Sequence, residues 1–214
     1  DTALRLRNDA QNVTIAGIRL HHTQRDPLDD DYLSDDTARN ATNKHYGIFA
    51  IGEATNCRVV DCQISHFKDN IVFQGFDGKR CSNITIEGNV ITDSWNHWDS
   101  SASGGRNGGH SSGAFVSKTD GVVIVNNYFD RNGWASTISG ASPTKFNLNL
   151  YLQSDITGTV VRGNIFGRAA AHGCQLRPGG ILEDNIFFEC PLAAFAEPAN
   201  GGGDSFVRNN LILD

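Results

Sequence analysis

Asparagine recurs in this chain inside a fixed apolar frame. Five segments read alike: Ile84-Thr-Ile-Glu-Gly-Asn89-Val-Ile, Val122-Val-Ile-Val-Asn-Asn127-Tyr-Phe, Val160-Val-Arg-Gly-Asn164-Ile-Phe, Ile181-Leu-Glu-Asp-Asn185-Ile-Phe and Phe206-Val-Arg-Asn-Asn210-Leu-Ile. Two looser copies precede them, Val13-Thr-Ile-Ala-Gly-Ile18 and Arg58-Val-Val-Asp-Cys-Gln63. A unit this short cannot bury its apolar face alone and has to stack on the next, so the repeat decides the architecture.

The anchors fall at Gln63, Asn89, Asn127, Asn164, Asn185 and Asn210. The shorter steps suit one coil of a parallel β-helix, roughly 20–25 residues, and the longer ones the same coil carrying an insertion. Apolar alternation marks a second strand after each motif, such as Asn70-Ile-Val-Phe-Gln-Gly75 and Asn149-Leu-Tyr-Leu-Gln-Ser154. That alternation turns Ile71, Phe73, Val116, Leu150, Leu152, Cys174 and Leu176 inward. The asparagines are expected to stack inside a turn, each amide bonding backbone and the next asparagine, because a buried polar group left unpaired costs about 1–3 kcal/mol. The fold expected is all-β, a parallel β-helix solenoid of about six to seven coils filling residues 1–214 as one domain.

Composition narrows the function. The net charge of −6 argues against a nucleic-acid partner. No apolar run approaches the ~20 residues of a membrane-spanning helix. The chain has no methionine and no signal-peptide pattern, so the sequence reads as a mature or excised piece of a longer chain. Residues 3–8 resemble the second strand of a coil and residues 206–212 the first strand of another, so both ends are expected to lack caps and to pack on further coils or another subunit. Five cysteines are too few for a disulfide framework. Cys174 reads as a core thiol, and Cys57 and Cys81, about one coil apart, as a pair that could bridge.

Insertions fall at one topological place, residues 21–45, 94–112 and 131–147. Loops grouped on one side wall a groove. Its floor would be the outward residues of the second strands. One column reads Phe49, Val72, Phe115, Tyr151, Gln175 and Phe195, and the next Ile51, Gln74, Ser117, Gln153, Arg177 and Glu197. A polar column beside an aromatic one suits a sugar chain, amides meeting hydroxyls and rings meeting pyranose faces. A plain solvated sheet face would also be polar. Trp95, Trp98, Trp134 and a Gly-rich run holding Arg106 and His110 lie in the walls. Lys44, His45, Lys68, Asp69, His110, Lys145 and His172 gather at the mouth of the ladder. No motif demands a cofactor. The acid-rich residues Asp26, Asp29, Asp30, Asp31, Asp35 and Asp36 offer clustered oxygens to calcium but match no EF-hand spacing, and a solvated acidic loop is the better explanation.

The coil pattern and asparagine ladder resemble right-handed parallel β-helix proteins of the pectate lyase-like superfamily. The stretch from His172 through Arg177 and Gly180 to Asn185 looks like the repeat edge of secreted bacterial members. The resemblance implies a secreted or cell-surface protein working on polysaccharide as a lyase, hydrolase, epimerase or tailspike. The epimerase-type Asp-Pro-His-Asp signature is absent, as is a vicinal Asp-Asp pair in the outward column. β-Elimination of a uronate polymer needs a base, a cation for the carboxylate and an acid for the leaving oxygen. The residues offered are Arg177 as cation, His110 or Lys68 as base, and Lys118 or His172 as acid, with Gln74, Ser117, Gln153, Gln175, Tyr151, Trp98 and Trp134 binding substrate. A hydrolase would need two carboxyls roughly 5–10 Å apart, drawn from Asp69, Asp99 and Glu197. A non-catalytic glycan-binding or structural β-helix is the third reading.

Overall fold

The computed structural model describes residues 2–7, 9–33, 45–97, 110–197 and 202–214. Each asparagine motif is two strands and not one. In the copy around Asn89, strand Cys81–Glu87 runs into the corner Gly88-Asn89 and leaves as strand Val90–Thr92. The residue before the anchor takes a left-handed conformation in every copy: Gly17 (φ 66), Asp61 (φ 52), Gly88 (φ 67), Asn126 (φ 57), Gly163 (φ 67), Asp184 (φ 57) and Asn209 (φ 54). Gly, Asn and Asp are the residues that enter this region most readily, which is why the motifs carry Gly-Asn, Asn-Asn and Asp-Asn pairs.

With the second strand of the sequence reading, each coil therefore has three strands. They stack into three parallel sheets, two 7-stranded and one 8-stranded. The first sheet takes Thr2–Leu6, Tyr46–Ile51, Asp69–Gln74, Ser112–Ser117, Leu148–Leu152, His172–Leu176 and Leu192–Phe195, and the third takes the short strands after each corner, Arg19–His21, Gln63–Ser65, Val90–Thr92, Tyr128–Asp130, Ile165–Gly167, Ile186–Phe188 and Leu211–Leu213. All seven residues expected to point inward are buried. Phe129, Phe166 and Phe187 stack in the core with centroids 5.0 Å apart at each step. Phe206, Leu211 and Ile212 of the last coil are 62%, 50% and 63% exposed.

The asparagine ladder forms as expected. Asn89 donates to Asn127, Asn127 to Asn164, and Asn185 to Asn210 at 2.9 Å, and Asn164 donates to Asn185 at 3.0 Å. One anchor is corrected by a residue. Gln63 is in register with Val90, so Cys62 occupies the Asn89 position and its backbone N–H donates to Asn89 Oδ1. A second buried ladder runs along the corner between the third and first sheets, where Asn70 donates to Asn132 at 3.2 Å and Asn132 to Asn149 at 2.9 Å.

The cysteine pairing fails. Cys57 is in register with Ile84, three residues beyond Cys81, which puts the two Cα atoms about 10 Å apart along the strand, beyond disulfide reach. All five cysteines are free thiols, and burial pushes Cys174 well above its ordinary pKa.

Candidate functional site

The outward column on the first sheet lies in the expected register: Phe49, Val72, Phe115, Tyr151, Gln175 and Phe195 are successive partners. Phe115 meets Tyr151 edge-on at 5.4 Å. Val72 is only 2% exposed, so it is packed rather than presented. In the next column Ile51, Gln74 and Ser117 are in register, and Gln153 and Arg177 follow just past their strands. Ser117 is 4% exposed and cannot offer its side chain freely to a sugar. Arg177 donates to the Tyr151 hydroxyl and to Gln153 Oε1, both at 2.9 Å. These three, half-buried, act as one network with the guanidinium fixed in place. Lys118 is exposed at a left-handed corner (φ 46), its backbone N–H held by Asp155.

A different group collects at the opposite edge of the sheet, where the strands begin. Lys68 Nζ lies 3.3 Å from Asp69 Oδ2 and 5.5 Å from the centre of the Tyr46 ring. Asp69 Oδ1 accepts the Ser112 N–H at 2.8 Å, which fixes the carboxylate. Burial opposes the Lys68 charge, but Asp69 and Tyr46 outweigh it and its pKa stands above the ordinary value. Lys68 is therefore a fixed cation and a poor base. His110 enters the same field: partial burial, then Lys68, pull its pKa below the ordinary value, and its ring rests 5.3 Å from Phe146. Burial holds the Tyr46 hydroxyl protonated, with Lys68 opposing and Asp69 reinforcing. His45, at the same edge, is buried against His22 with ring nitrogens 3.2 Å apart; burial and Arg25 take the His22 pKa down to about 3.

The structure does not bring all the sequence candidates together. His110 precedes Ser112 and Arg177 follows Leu176, so they lie at opposite ends of the strands, roughly 20 Å apart. One sugar ring cannot touch both. His172 lies three strands from Asp69, about 14 Å, and its ring stacks on Phe195. Burial lowers its pKa too. Trp98, Asp99, Arg106, Lys44, Asp35 and Asp36 lie outside the described residues.

The walls enclose a separate cleft of about 370 Å³. Asp26, Pro27 and Leu28 come to it from the first insertion, Trp95 from the second, and Trp134 with residues 135–137 from the third. Trp134 is half-buried, its Nε1 donating to the Arg168 carbonyl at 2.9 Å. Trp95 is 1% exposed and belongs to a small core with Ile138 and Ala141, the Arg25 guanidinium 3.8 Å from its ring centre. It is a structural residue of the wall. The cleft floor is a corner the sequence did not flag: His66 (φ 67), Asp93 (φ 55) and Arg131 (φ 50) project from successive left-handed turns. Asp93 accepts Arg131 at 2.7 and 3.2 Å; burial disfavours the charge, but Arg131 and Thr92 overcome this and hold the carboxyl below its ordinary pKa. The only available signal was that each of these residues directly follows a short third-sheet strand.

In the acidic stretch, Asp26 and Asp29 accept the backbone N–H of Leu28 and Asp31, so they shape their own turns. Among the described residues, His21, Asp26 and His66 bring ligand atoms within 4.8 Å of one another.

Comparison with known proteins gives one family. The model described as right handed beta helix region matches residues 7–212. No curated protein and no solved structure matches the chain.

Proposed function

The chain belongs to the right-handed β-helix family, and from that premise we propose that it is a secreted or cell-surface protein that cleaves a uronate-containing polysaccharide by β-elimination. The observation that carries the reading is the fixed Lys68–Asp69 pair, 3.3 Å apart at the starting edge of the first sheet, whose cation acts on His110 at the same edge. Lys68 is held charged by Asp69, and partial burial and then the Lys68 charge bias His110 toward its neutral, proton-accepting form.

The chemistry follows from those states. The Lys68 ammonium meets the uronate carboxylate and stabilises the enediolate that forms as the C5 proton leaves. Neutral His110 accepts that proton. The electron pair becomes the C4–C5 double bond, the C4–O bond breaks, and the leaving oxygen takes a proton from Tyr46, whose hydroxyl is protonated at neutral pH. Arg177, Tyr151 and Gln153 then bind a more distant sugar of the same chain through its carboxylate and hydroxyls. A net charge of −6 does not forbid a polyanion, since the local field decides.

Two other readings have weaker support. A glycoside hydrolase needs a carboxyl pair, and Asp69 is already engaged by Lys68 and by the Ser112 N–H. A non-catalytic glycan-binding or structural β-helix is favoured by one observation: Trp134 lines a cleft to which neither Lys68 nor His110 contributes. Incubation with a panel of uronate polymers separates them. Unsaturated uronate ends, read by ultraviolet absorbance, indicate elimination. Reducing ends without unsaturation indicate hydrolysis. Retention on the polymer without cleavage indicates binding.

A further inference from the structure

The geometry points to a divalent metal site of the zinc class held by His21, Asp26 and His66, with Asp29 beside His21 at its edge. His21 Nε2 lies 3.2 Å from Asp26 Oδ2 and 3.6 Å from Asp29 Oδ2, and His66 Nε2 lies 3.6 Å from Asp26 Oδ1. Zinc bound at about 2.0–2.2 Å by four nitrogens and oxygens has ligand–ligand edges of about 3.3–3.6 Å. The two histidines approach Asp26 through different carboxylate oxygens, at 3.2 and 3.6 Å, close to those edges, and one ligand atom from each of the three residues lies within 4.8 Å of the others.

The fold prepares the site from two directions. His21 and Ser65 are register partners on adjacent third-sheet strands, and Ser65 Oγ hydrogen-bonds His21 Nδ1 at 2.9 Å. That bond orients the imidazole and leaves Nε2 as the ligand atom, the outer-sphere arrangement usual for metal-binding histidines. His66 stands at the left-handed corner just past Ser65, its ring 5.0 Å from that of His21. Asp26 and Asp29 arrive on the first insertion, each fixed by the turn it caps.

Ligand chemistry selects the ion. Calcium and magnesium take oxygen donors, whereas two imidazoles with carboxylates suit zinc and its transition-metal neighbours. The acidic stretch alone offers oxygens that calcium could use, whereas the two histidines bring in donors that favour a borderline ion. Bound there, the ion would pin the first insertion to the coil. Asp26 and His66 also line the cleft, so the ion would fix one of its walls.

The test needs no substrate and stands apart from the lyase reading. Untagged protein, stripped with chelator, is titrated with Zn2+ by calorimetry and with Co2+ by visible absorption, Ca2+ serving as control. The expected result is one equivalent of Zn2+, a tetrahedral Co2+ spectrum, and affinity weakened more than about tenfold in Asp26→Asn and in His66→Asn. Asparagine tolerates the left-handed corner, so His66→Asn keeps the fold, as circular dichroism will verify; His21→Gln is a further variant off that corner. No stoichiometric Zn2+ binding, binding unchanged in all three variants, or Ca2+ bound as tightly as Zn2+ would overturn the proposal.

Discussion

Gly113 leaves the space that the Asn132 amide occupies: a Cβ on Gly113 would lie 2.8 Å from Asn132 Nδ2 and 2.5 Å from the Asn149 carbonyl oxygen. Asn70, Gly113 and Asn149 are consecutive rungs of the first sheet. Asn132 comes from the third insertion and supplies the rung that Gly113 lacks. One position thus needs both a glycine and an asparagine, from different parts of the chain. Gly113→Ala should destabilise by about 2–3 kcal/mol through overpacking and loss of the Asn132 bonds. Urea unfolding will read it as a lowered midpoint at constant slope.

The main ladder makes a parallel prediction. Asn127 Oδ1 accepts from both the backbone and the side chain of Asn89, and its Nδ2 reaches Asn164 Oδ1 and the Ile86 carbonyl. Asn127→Ala strands several of these buried groups, at about 1–3 kcal/mol each if no water enters. The expected loss, about 3 kcal/mol, is checked by the same unfolding measurement.

Acid titration should separate a surface contribution from the core. Arg80 grips Asp120 with two bonds of 2.7 Å, and this pair, followed by Thr157, pulls the Asp120 pKa down to about 2. A depressed carboxyl pKa adds stability above the unfolded-state value near ~4 and loses it as pH falls toward the folded value. Both groups are 40% or more exposed, so screening keeps the gain at or below about 1 kcal/mol. Asp120→Asn should therefore differ from wild type by no more than that at neutral pH, with the gap closing as pH approaches about 2. Unfolding curves at a series of pH values check it.

The activity profile carries a sign of its own. If neutral His110 is the base, activity is full above its pKa and falls below it on the acid side. That pKa is lowered, so the acid limb should lie below the ordinary histidine value near ~6.5. Lys68→Met removes one of the causes and should move the limb to higher pH while lowering the plateau. A structural role for Lys68 would lower the plateau without moving the limb. The dependence of kcat/KM on pH distinguishes the two.

What the sequence disclosed follows from what repeats. Inward residues, the register of the Phe49–Phe195 column and the Asn89–Asn210 ladder are all set by local period, so they could be read from spacing. Asn132 could not, because its role depends on a glycine in another strand. Cys62 was missed for Gln63 because both fit an apolar-polar frame and only the ladder bond to Asn89 separates them. The candidate site was legible in its residue types and not in their grouping. Strand position parts His110 from Arg177, and loop packing buries Trp95, and neither leaves a trace in local sequence.

The most direct measurement is the ultraviolet absorbance of uronate polymers incubated with wild type and with His110→Gln and Lys68→Met, each shown by circular dichroism to keep the β-helix. The account predicts a rise from unsaturated ends with wild type on at least one polymer, and a loss of about two orders of magnitude or more in each variant. No rise on any uronate polymer, or full activity in His110→Gln, would contradict it.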